Sequence, residues 1–204
     1  MADGQNTAGG PLLVNGEALR LGRVAKCSFS YGLRVLDTSR LRMRRPREAD
    51  VDAVFAYRSR PDVAQYLSAG TWTREHTASE LSMYAAARFD GPGDELVLVV
   101  ELLETGEVVG EVGLVWHHDD SAEIGYVFNP RFGGKGLATE AVGALLAAAL
   151  SDWGFLQVIA KTDAANESSR ELCERLGMKL VATTLTTDGR GVEESTYAVS
   201  ASAN

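Results

Sequence analysis

Cysteine is scarce in this chain of 204 residues, which contains only Cys27 and Cys173. Two cysteines do not make the disulfide framework of a small secreted domain. Their surroundings also lack the ligand spacing of a zinc site. The sequence therefore predicts neither a disulfide-dependent fold nor a metal centre.

Long apolar runs and an excess of basic residues are lacking as well. No run is long enough to span a membrane, and the first ten residues lack the basic and apolar regions of a signal peptide. Lys and Arg number 20 against 28 Asp and Glu, a net charge of −8, which argues against general nucleic-acid binding. We expect a cytoplasmic protein with neither a membrane nor a nucleic acid as its partner.

Several common catalytic motifs are missing too. The chain has no Gly-x-x-x-x-Gly-Lys-Ser/Thr loop, and its glycines do not follow the dinucleotide-binding spacing. No Ser-His-Asp order or activated cysteine stands out. His117 and His118 are adjacent and alternate across a strand end, so they are poorly placed to ligate one ion together. We interpret them as part of a polar hairpin loop.

The order of the predicted elements indicates an α+β fold with a mixed sheet. Residues 1–10 are predicted to be disordered, and residues 11–36 to add a strand or hairpin before a single domain over 37–204. Helices are predicted after Asp50, from Pro61, after Thr73, over 137–150 and from Asn166. Strands are predicted at 41–43, 95–103, 108–116, 122–129, 157–162, 179–185 and 194–199.

Residues 126–141 carry the strongest functional signal in the chain. A strand-like run ends at Pro130, passes through a loop with Arg131, Gly134 and Gly136, and enters an apolar helix. The free N–H groups and the positive dipole end of a helix N-terminus suit a phosphate or pyrophosphate. Glycines allow close backbone approach, and Lys135 adds positive charge. The loop is predicted to bind an anion.

Three blocks together resemble the GNAT superfamily of N-acetyltransferases. Arg131-x-x-Gly134-x-Gly136 is similar to the loop that grips the pyrophosphate of acetyl-coenzyme A in that superfamily. Asn-Glu-Ser-Ser-Arg-Glu-Leu-Cys-Glu-Arg-Leu-Gly-Met, residues 166–178, resembles its next conserved element. Leu-Asp-Thr-Ser-Arg-Leu-Arg-Met-Arg-Arg-Pro-Arg-Glu-Ala-Asp, residues 36–50, resembles the opening of the RimJ/RimL-type branch.

The resemblance implies a mostly antiparallel central sheet, flanked by helices and splayed around an acyl-coenzyme A cleft. It also implies that a bulge splays the strand before the loop from its neighbour, with backbone contacts from Val127 and Phe128. The implied donor-binding set is Val127, Phe128, Arg131, Phe132, Gly133, Gly134, Lys135, Gly136, Leu137, Ala138, Asn166 and Ser169. Acetyl-coenzyme A is the implied cosubstrate.

Acetyl transfer to an amine also needs a proton acceptor, because an alkyl amine is mostly protonated at neutral pH. Glu123 and Glu111 lie on neighbouring predicted strands among apolar residues, where burial would make a carboxylate more basic. A solvent-facing glutamate is the plainer interpretation of each. Asn166 could be a simple helix N-cap or, as the resemblance implies, could also serve the catalytic site, near Ser169 and the coenzyme thiol.

Two positions depart from the family pattern. Many GNAT enzymes carry a tyrosine, as general acid, seven residues after the asparagine, and here that residue is Cys173. Some relatives place a glutamate five residues before the asparagine, and here that residue is Lys161. The resemblance therefore does not identify the general acid or the base.

The sequence thus predicts transfer of an acetyl group to a primary amine by direct attack. The acceptor is left open between a protein N-terminus, a lysine and a small amine such as an aminoglycoside, and a homodimer is left open. Two alternatives are transfer of succinyl or another acyl group, and a non-catalytic acyl-coenzyme A sensor.

Overall fold

A computed structural model of the protein describes residues 35–118, 120–186 and 191–201. The disorder predicted for residues 1–10, and all but the last two residues of the predicted N-terminal extension, lie outside the described residues. The last residue of that extension forms strand β1 (Leu36–Asp37) together with the first residue of the predicted domain, and β1 pairs with the next strand, Leu41–Arg44.

The predicted elements are confirmed, with small changes in their bounds. The strands are β1, β2 (Leu41–Arg44), β3 (Glu95–Leu102), β4 (Val108–Trp116), β5 (Ser121–Phe128), β6 (Gln157–Asp163), β7 (Lys179–Leu185) and β8 (Glu193–Ser200). The helices are α1 (Val51–Arg58), α2 (Pro61–Ala64), α3 (Arg74–Ala86), α4 (Leu137–Ala147) and α5 (Glu167–Arg175). None of the described helices combines the length and apolarity needed to cross a membrane.

Local chemistry explains where the helices begin and end. The side chains of Thr73 and Asn166 accept hydrogen bonds from the N–H groups of His76 and Ser169, so each caps the first turn of its helix. Gly177 follows α5 with φ of +78°, the left-handed conformation that closes many helices. Past its last regular turn, α4 widens into a π-helical turn over Ala148–Asp152.

The strands form one sheet in the order β1-β2-β3-β4-β5-β6-β8-β7. Only β5 and β6 are parallel neighbours, and every other pair is antiparallel. The predicted α+β class with a mixed, mostly antiparallel sheet flanked by helices is confirmed.

The two faces of the sheet support two apolar clusters. Residues of α4 and α5 such as Leu145 and Leu172 pack with Ile124 of β5 in the larger cluster. Val54 of α1 packs on the opposite face in the smaller cluster, against which Val127 of β5 is packed. Because strand side chains alternate, even-numbered residues of β5 face α4 and α5, and odd-numbered residues face α1 and α3.

Candidate active site

A gap opens in the middle of the sheet between β5 and β6. These strands pair only where Ser121–Glu123 meets Gln157–Ile159. Beyond that point β6 continues against β8 as far as Asp163, whereas β5 continues against β4 as far as Phe128. A cleft of about 1190 Å³ occupies the diverging space. Glu123 therefore stands at the apex of the gap.

The splay arises without a bulge between β4 and β5. Their register is continuous from the pair Gly110↔Phe128 to the pair Trp116↔Ala122. The bulge that the resemblance implied is therefore not found in this pairing. The strands separate because β5 stays with β4 while β6 stays with β8.

The same register decides which backbone groups face the gap. The N–H of Asn129 donates to Val109 O and that of His117 donates to Ser121 O, both at 2.9 Å. Hydrogen-bonded positions alternate along an antiparallel pair, so odd-numbered residues of β5 bond to β4. The backbone of Phe128 therefore faces the gap, whereas the backbone of Val127 faces β4.

The loop after β5 has the backbone shape of an anion-binding turn. Asn129 accepts a hydrogen bond from the N–H of Arg131 at 3.0 Å, and Gly134 and Gly136 have φ of +73° and +72°. The N–H of Glu140 makes the first helical bond of α4, to Gly136 O at 3.1 Å. The amides before it in the first turn of α4 therefore lack an intrahelical acceptor and are available to an anion.

Most of the predicted donor-binding residues line the cleft. Those that do are Val127, Phe128, Phe132, Gly133, Gly134, Gly136, Leu137, Ala138, Asn166 and Ser169. Arg131 and Lys135 do not. The Arg131 guanidinium instead lies 3.3 Å from a carboxylate oxygen of Glu107, and both side chains are exposed.

A carboxylate in the first turn of α4 fastens the loop to the rest of the protein. Glu140 accepts hydrogen bonds from the hydroxyls of Thr38 (2.6 Å) and Ser39 (3.0 Å) and from Arg40 Nε (2.6 Å). The same guanidinium donates to the main-chain oxygen of Lys135 at 3.0 Å. Arg40 therefore balances a negative charge that would otherwise stand beside the anion-binding amides.

The contacts of Glu140 with Thr38, Ser39 and Arg40 form a clamp, which makes Glu140 a determinant of stability in acid. Burial opposes ionisation of Glu140, but the hydrogen bonds from Thr38, Arg40 and Ser39 outweigh it and lower the pKa of Glu140 to about 2. Because the folded pKa lies below the ordinary glutamate value, the clamp stabilises the fold at neutral pH. That contribution is lost as the pH falls from about 4 towards about 2.

We expect Glu140→Gln to be less stable than the wild type at pH 7 and to lose less stability on acidification. Urea unfolding midpoints at about pH 7 and about pH 3 measure the difference. Glu104→Gln, in the exposed turn after β3, is the control and should follow the wild type. Parallel losses in all three proteins would contradict the assignment.

The first turn of α5 presents two of the predicted residues to the cleft. Asn166 Oδ1 accepts a hydrogen bond from the N–H of Ser169 at 3.1 Å, so its N-cap interpretation is correct. The hydroxyl of Ser169 lies 2.8 Å from the phenol oxygen of Tyr126, which reaches across from β5. The sulfur of Cys173 lies 3.5 Å from the same phenol oxygen.

A smaller recess adjoins the cleft on the Glu123 side. It has a volume of about 210 Å³ and shares Tyr66, Leu67, Lys161 and Thr162 with the main cleft. Glu123 Oε2 lies 3.0 Å from Lys161 Nζ and 3.3 Å from His117 Nε2. Among the described residues, no side chain or backbone donor contacts the other oxygen, Oε1. Within the described part of the chain, Oε1 of Glu123 is therefore available to a ligand.

Glu111 occupies a different environment. Its side chain is 3% exposed and forms an ion pair with Arg58, whose Nε lies 2.5 Å from Oε1. Burial raises the pKa of Glu111, and the charge and hydrogen bonds of Arg58 act against it. Arg58 also stacks over the ring of Trp72, 4.2 Å from its centroid. Glu111 lines neither the cleft nor the recess, which speaks against its predicted role as the base.

Comparison with known protein families identifies the family to which these strands, loop and helices belong. The family described as "Acetyltransferase (GNAT) domain" matches residues 40–179. The chain belongs to this GNAT acetyltransferase family. The match covers Arg40 and Glu140, the loop and the first turn of α5, so the elements around the cleft are those of a GNAT domain.

Individual relatives agree with this assignment. "Uncharacterized N-acetyltransferase p20" of Bacillus licheniformis is 28% identical over 150 residues, which cover 72% of this chain and 83% of the relative. A GNAT-family acetyltransferase from Bacillus anthracis is 26% identical with a TM-score of 0.74, covering 82% of this chain and 98% of that structure. RimL, a ribosomal L7/L12 alpha-N-protein acetyltransferase solved with coenzyme A, has a TM-score of 0.70 at 16% identity, covering 84% and 100%. The protein is thus an N-acetyltransferase by family.

Cys173 stands where many GNAT enzymes carry the tyrosine, and its position argues against the same role. Its side chain is 1% exposed and does not line the cleft. Burial raises the pKa of the thiol, and the hydrogen bond with Tyr126 opposes that shift. A buried thiol of this kind is a poor proton donor to a group in the cleft.

We therefore expect Cys173→Ala to retain most of its activity, at some cost in stability from the lost packing. The departing coenzyme thiol has a pKa near that of an ordinary thiol, about 8–9, and leaves as a thiolate without help from this side chain. Steady-state kcat with acetyl-coenzyme A tests this. A hundredfold fall in kcat with coenzyme A affinity intact would identify Cys173 as the general acid.

The sequence-based interpretation missed four residues at or around the candidate site. His117 was interpreted as part of a polar loop, but its ring contacts Glu123. Tyr126, Arg40 and Glu140 were not singled out. An acid in the first turn after the glycine loop was a signal for Glu140, since it places a negative charge beside the expected anion. The alternation of side chains along β5 was a signal for Tyr126, which falls on the face of α4 and α5.

Proposed function

We propose that this GNAT enzyme, of the RimJ/RimL-type branch, transfers an acetyl group from acetyl-coenzyme A to a cationic primary amine. The gap between β5 and β6 carries the proposal. It has the anion-binding loop at its open end and Glu123 at its apex. A donor with a phosphorylated tail and a reactive thioester at the other end matches that polarity.

The donor is expected to lie along the gap with its pyrophosphate on the loop at Gly134 and Gly136. The free amides of the first turn of α4 suit the phosphate oxygens. The backbone of Phe128 faces the gap and can bond to the amide-bearing arm of coenzyme A. RimL, which shares this fold, was solved with coenzyme A.

The acceptor is expected to enter through the recess beside Glu123. Asp163 and Glu194 also line this recess, where Lys161 is the one basic side chain among the described lining residues. Three carboxylates against one ammonium group give the described lining of the recess a formal charge of about −2. Such a recess favours an acceptor that carries positive charge.

The chemistry follows from these positions. The neutral amine attacks the thioester carbon, the N–C bond forms, and the C–S bond then breaks with its electron pair on sulfur. The proton lost by the amine passes to Glu123 Oε1, directly or through water. Lys161 and His117 hold the opposite oxygen of that carboxylate and fix its orientation.

An acceptor panel that measures release of the coenzyme A thiol tests this function. The panel contains peptides with a free N-terminus, peptides with an internal lysine and a blocked N-terminus, polyamines and aminoglycosides. Each cationic amine is paired with an anionic or neutral amine of similar size. We expect transfer to cationic amines, confirmed by mass spectrometry of the product.

Two results would overturn the proposal. Equal rates with cationic and anionic acceptors would reject the charge selectivity of the recess. Coenzyme A binding without transfer to any amine would favour the sensor alternative. Separately from these two results, a strong preference for succinyl-coenzyme A over acetyl-coenzyme A would reject the donor.

A further inference from the structure

The phenol of Tyr126 bridges one turn of α5 at the wall of the cleft. Ser169 and Cys173 are four residues apart and therefore lie on the same face of the helix. The phenol oxygen lies 2.8 Å from Ser169 Oγ, 3.2 Å from Ser169 O and 3.5 Å from Cys173 Sγ. Tyr126 and Ser169 both line the cleft.

The two hydroxyls have two ways to share their protons. In the first arrangement Tyr126 donates to the main-chain oxygen of Ser169, and the serine hydroxyl donates to the phenol. Both protons are then used within the protein. In the second arrangement the phenol donates to Ser169 Oγ, and the serine proton is free to point into the cleft. An anionic sulfur in the cleft selects the second arrangement because it accepts that proton's hydrogen bond.

We propose that Tyr126 is a positioning residue for acetyl transfer: it holds the Ser169 hydroxyl as a hydrogen-bond donor to the departing sulfur of the thioester. This inference rests on the proposed function and takes the thioester to lie beside the first turn of α5, where Asn166 and Ser169 line the cleft. It assigns to a residue of β5 the support that many GNAT enzymes obtain from the tyrosine at the position of Cys173.

Two properties of the pair support this assignment. Burial raises the pKa of Tyr126, so the phenol keeps its proton and remains a donor across the working pH range. A phenol is a more acidic donor than an aliphatic alcohol, and a hydroxyl that accepts such a bond becomes a stronger donor itself.

The small side chain of Cys173 makes room for this arrangement. Its sulfur is already in contact with the phenol oxygen at 3.5 Å. A larger side chain at this position, such as the family's tyrosine, would have to occupy the space in which the phenol meets α5. The small residue at position 173 therefore leaves the space that the phenol of Tyr126 occupies.

The step requires no proton transfer from the pair. The C–S bond breaks, its electron pair remains on sulfur, and the new thiolate accepts a hydrogen bond from Ser169 Oγ–H. The thiolate leaves in that form or takes a proton from water after release. The pair lowers the energy of the charged leaving group without becoming charged itself.

The test compares Tyr126→Phe, Ser169→Ala and the double variant, with Cys173→Ala as the matched control. We expect each of the first two to lower kcat about tenfold to a hundredfold, the range for a hydrogen bond to a charged group, with the donor KM little changed. Because the two residues act as a unit, their effects on kcat should not multiply. We expect the kcat of the double variant to lie within about threefold of the kcat of the slower single variant. Cys173→Ala, which removes the third neighbour of the phenol, should stay near wild-type kcat.

A second measurement separates this role from a merely structural one. The ultraviolet absorbance of the bound coenzyme A thiolate is titrated against pH, with desulfo-coenzyme A as the reference. We expect the thiol to ionise at lower pH in the wild type than in Tyr126→Phe, while both proteins bind desulfo-coenzyme A equally. Active Tyr126→Phe with wild-type kcat and an unchanged thiol titration would overturn the inference. Failure of the proposed function would give a different result, because the wild-type protein itself would then transfer no acetyl group.

Discussion

Gly136→Val is expected to weaken coenzyme A binding by about 100-fold or more. The valine has to adopt φ near +72°, which is unfavourable for a β-branched residue, and its side chain stands where the loop is expected to meet the pyrophosphate. The nearest atom to a Cβ at this position is Arg40 Nη2 at 3.8 Å, so the protein itself leaves room for the side chain. Binding should therefore suffer more than folding. Isothermal titration with coenzyme A measures the effect.

Gly154→Val is the matched control, because Gly154 follows the opposite end of the same helical segment. Its φ is +75°, and apart from its two neighbours in the chain no residue comes within 4 Å of a Cβ at this position. It should therefore suffer a similar backbone penalty in stability and keep wild-type affinity. Unchanged affinity in Gly136→Val would reject the loop as the pyrophosphate site, and equal losses in both variants would attribute the effect to folding.

Glu123→Gln is expected to lower kcat by about 10²- to 10⁴-fold, the usual effect of removing a general base. The amide retains the size of the side chain but does not accept the amine's proton. The donor affinity should be unchanged, because Glu123 lies at the apex of the gap and not on the loop. The pH dependence of kcat/KM should lose the part of its acid limb that belongs to this carboxylate. Initial rates over a range of pH with a saturating donor measure both effects.

Glu111→Gln provides the contrast. It leaves Arg58 without a charged partner in a buried site, so it should lower the unfolding midpoint and affect kcat less. If Glu123→Gln raises the acceptor KM and spares kcat, Glu123 binds the cationic amine instead of taking its proton. If Glu111→Gln is the variant that loses kcat while remaining folded, the assignment of the base is wrong.

The sequence was sufficient for the fold because its signals are local. Period-two alternation identified β2, and apolar runs between turn residues identified the other strands. Thr73, Asn166 and Gly177 identified helix ends through their own backbone chemistry. The glycine loop was identifiable for the same reason. A left-handed residue before an apolar helix needs no partner distant in sequence.

The rest depended on contacts between distant segments. Glu111 and Glu123 both lie among apolar residues on neighbouring strands, and nothing in their local sequence separates them. Arg58 of α1 neutralises one, while the divergence of β5 from β6 exposes the other. The clamp on Glu140 joins residues about a hundred positions apart. Such pairings follow from the topology of the sheet and not from any spacing along the chain.

The gap also means that β5 has an edge in the middle of the sheet. Past Glu123, the N–H groups of Tyr126 and Phe128 have no strand to pair with on the β6 side. These amides should exchange with solvent deuterium quickly in the free protein, although they lie between the two halves of one sheet. A bound donor whose arm carries its own amide groups would supply the hydrogen bonds that β6 does not make, and would slow that exchange. For this enzyme, the donor would then serve as the segment that joins the two halves.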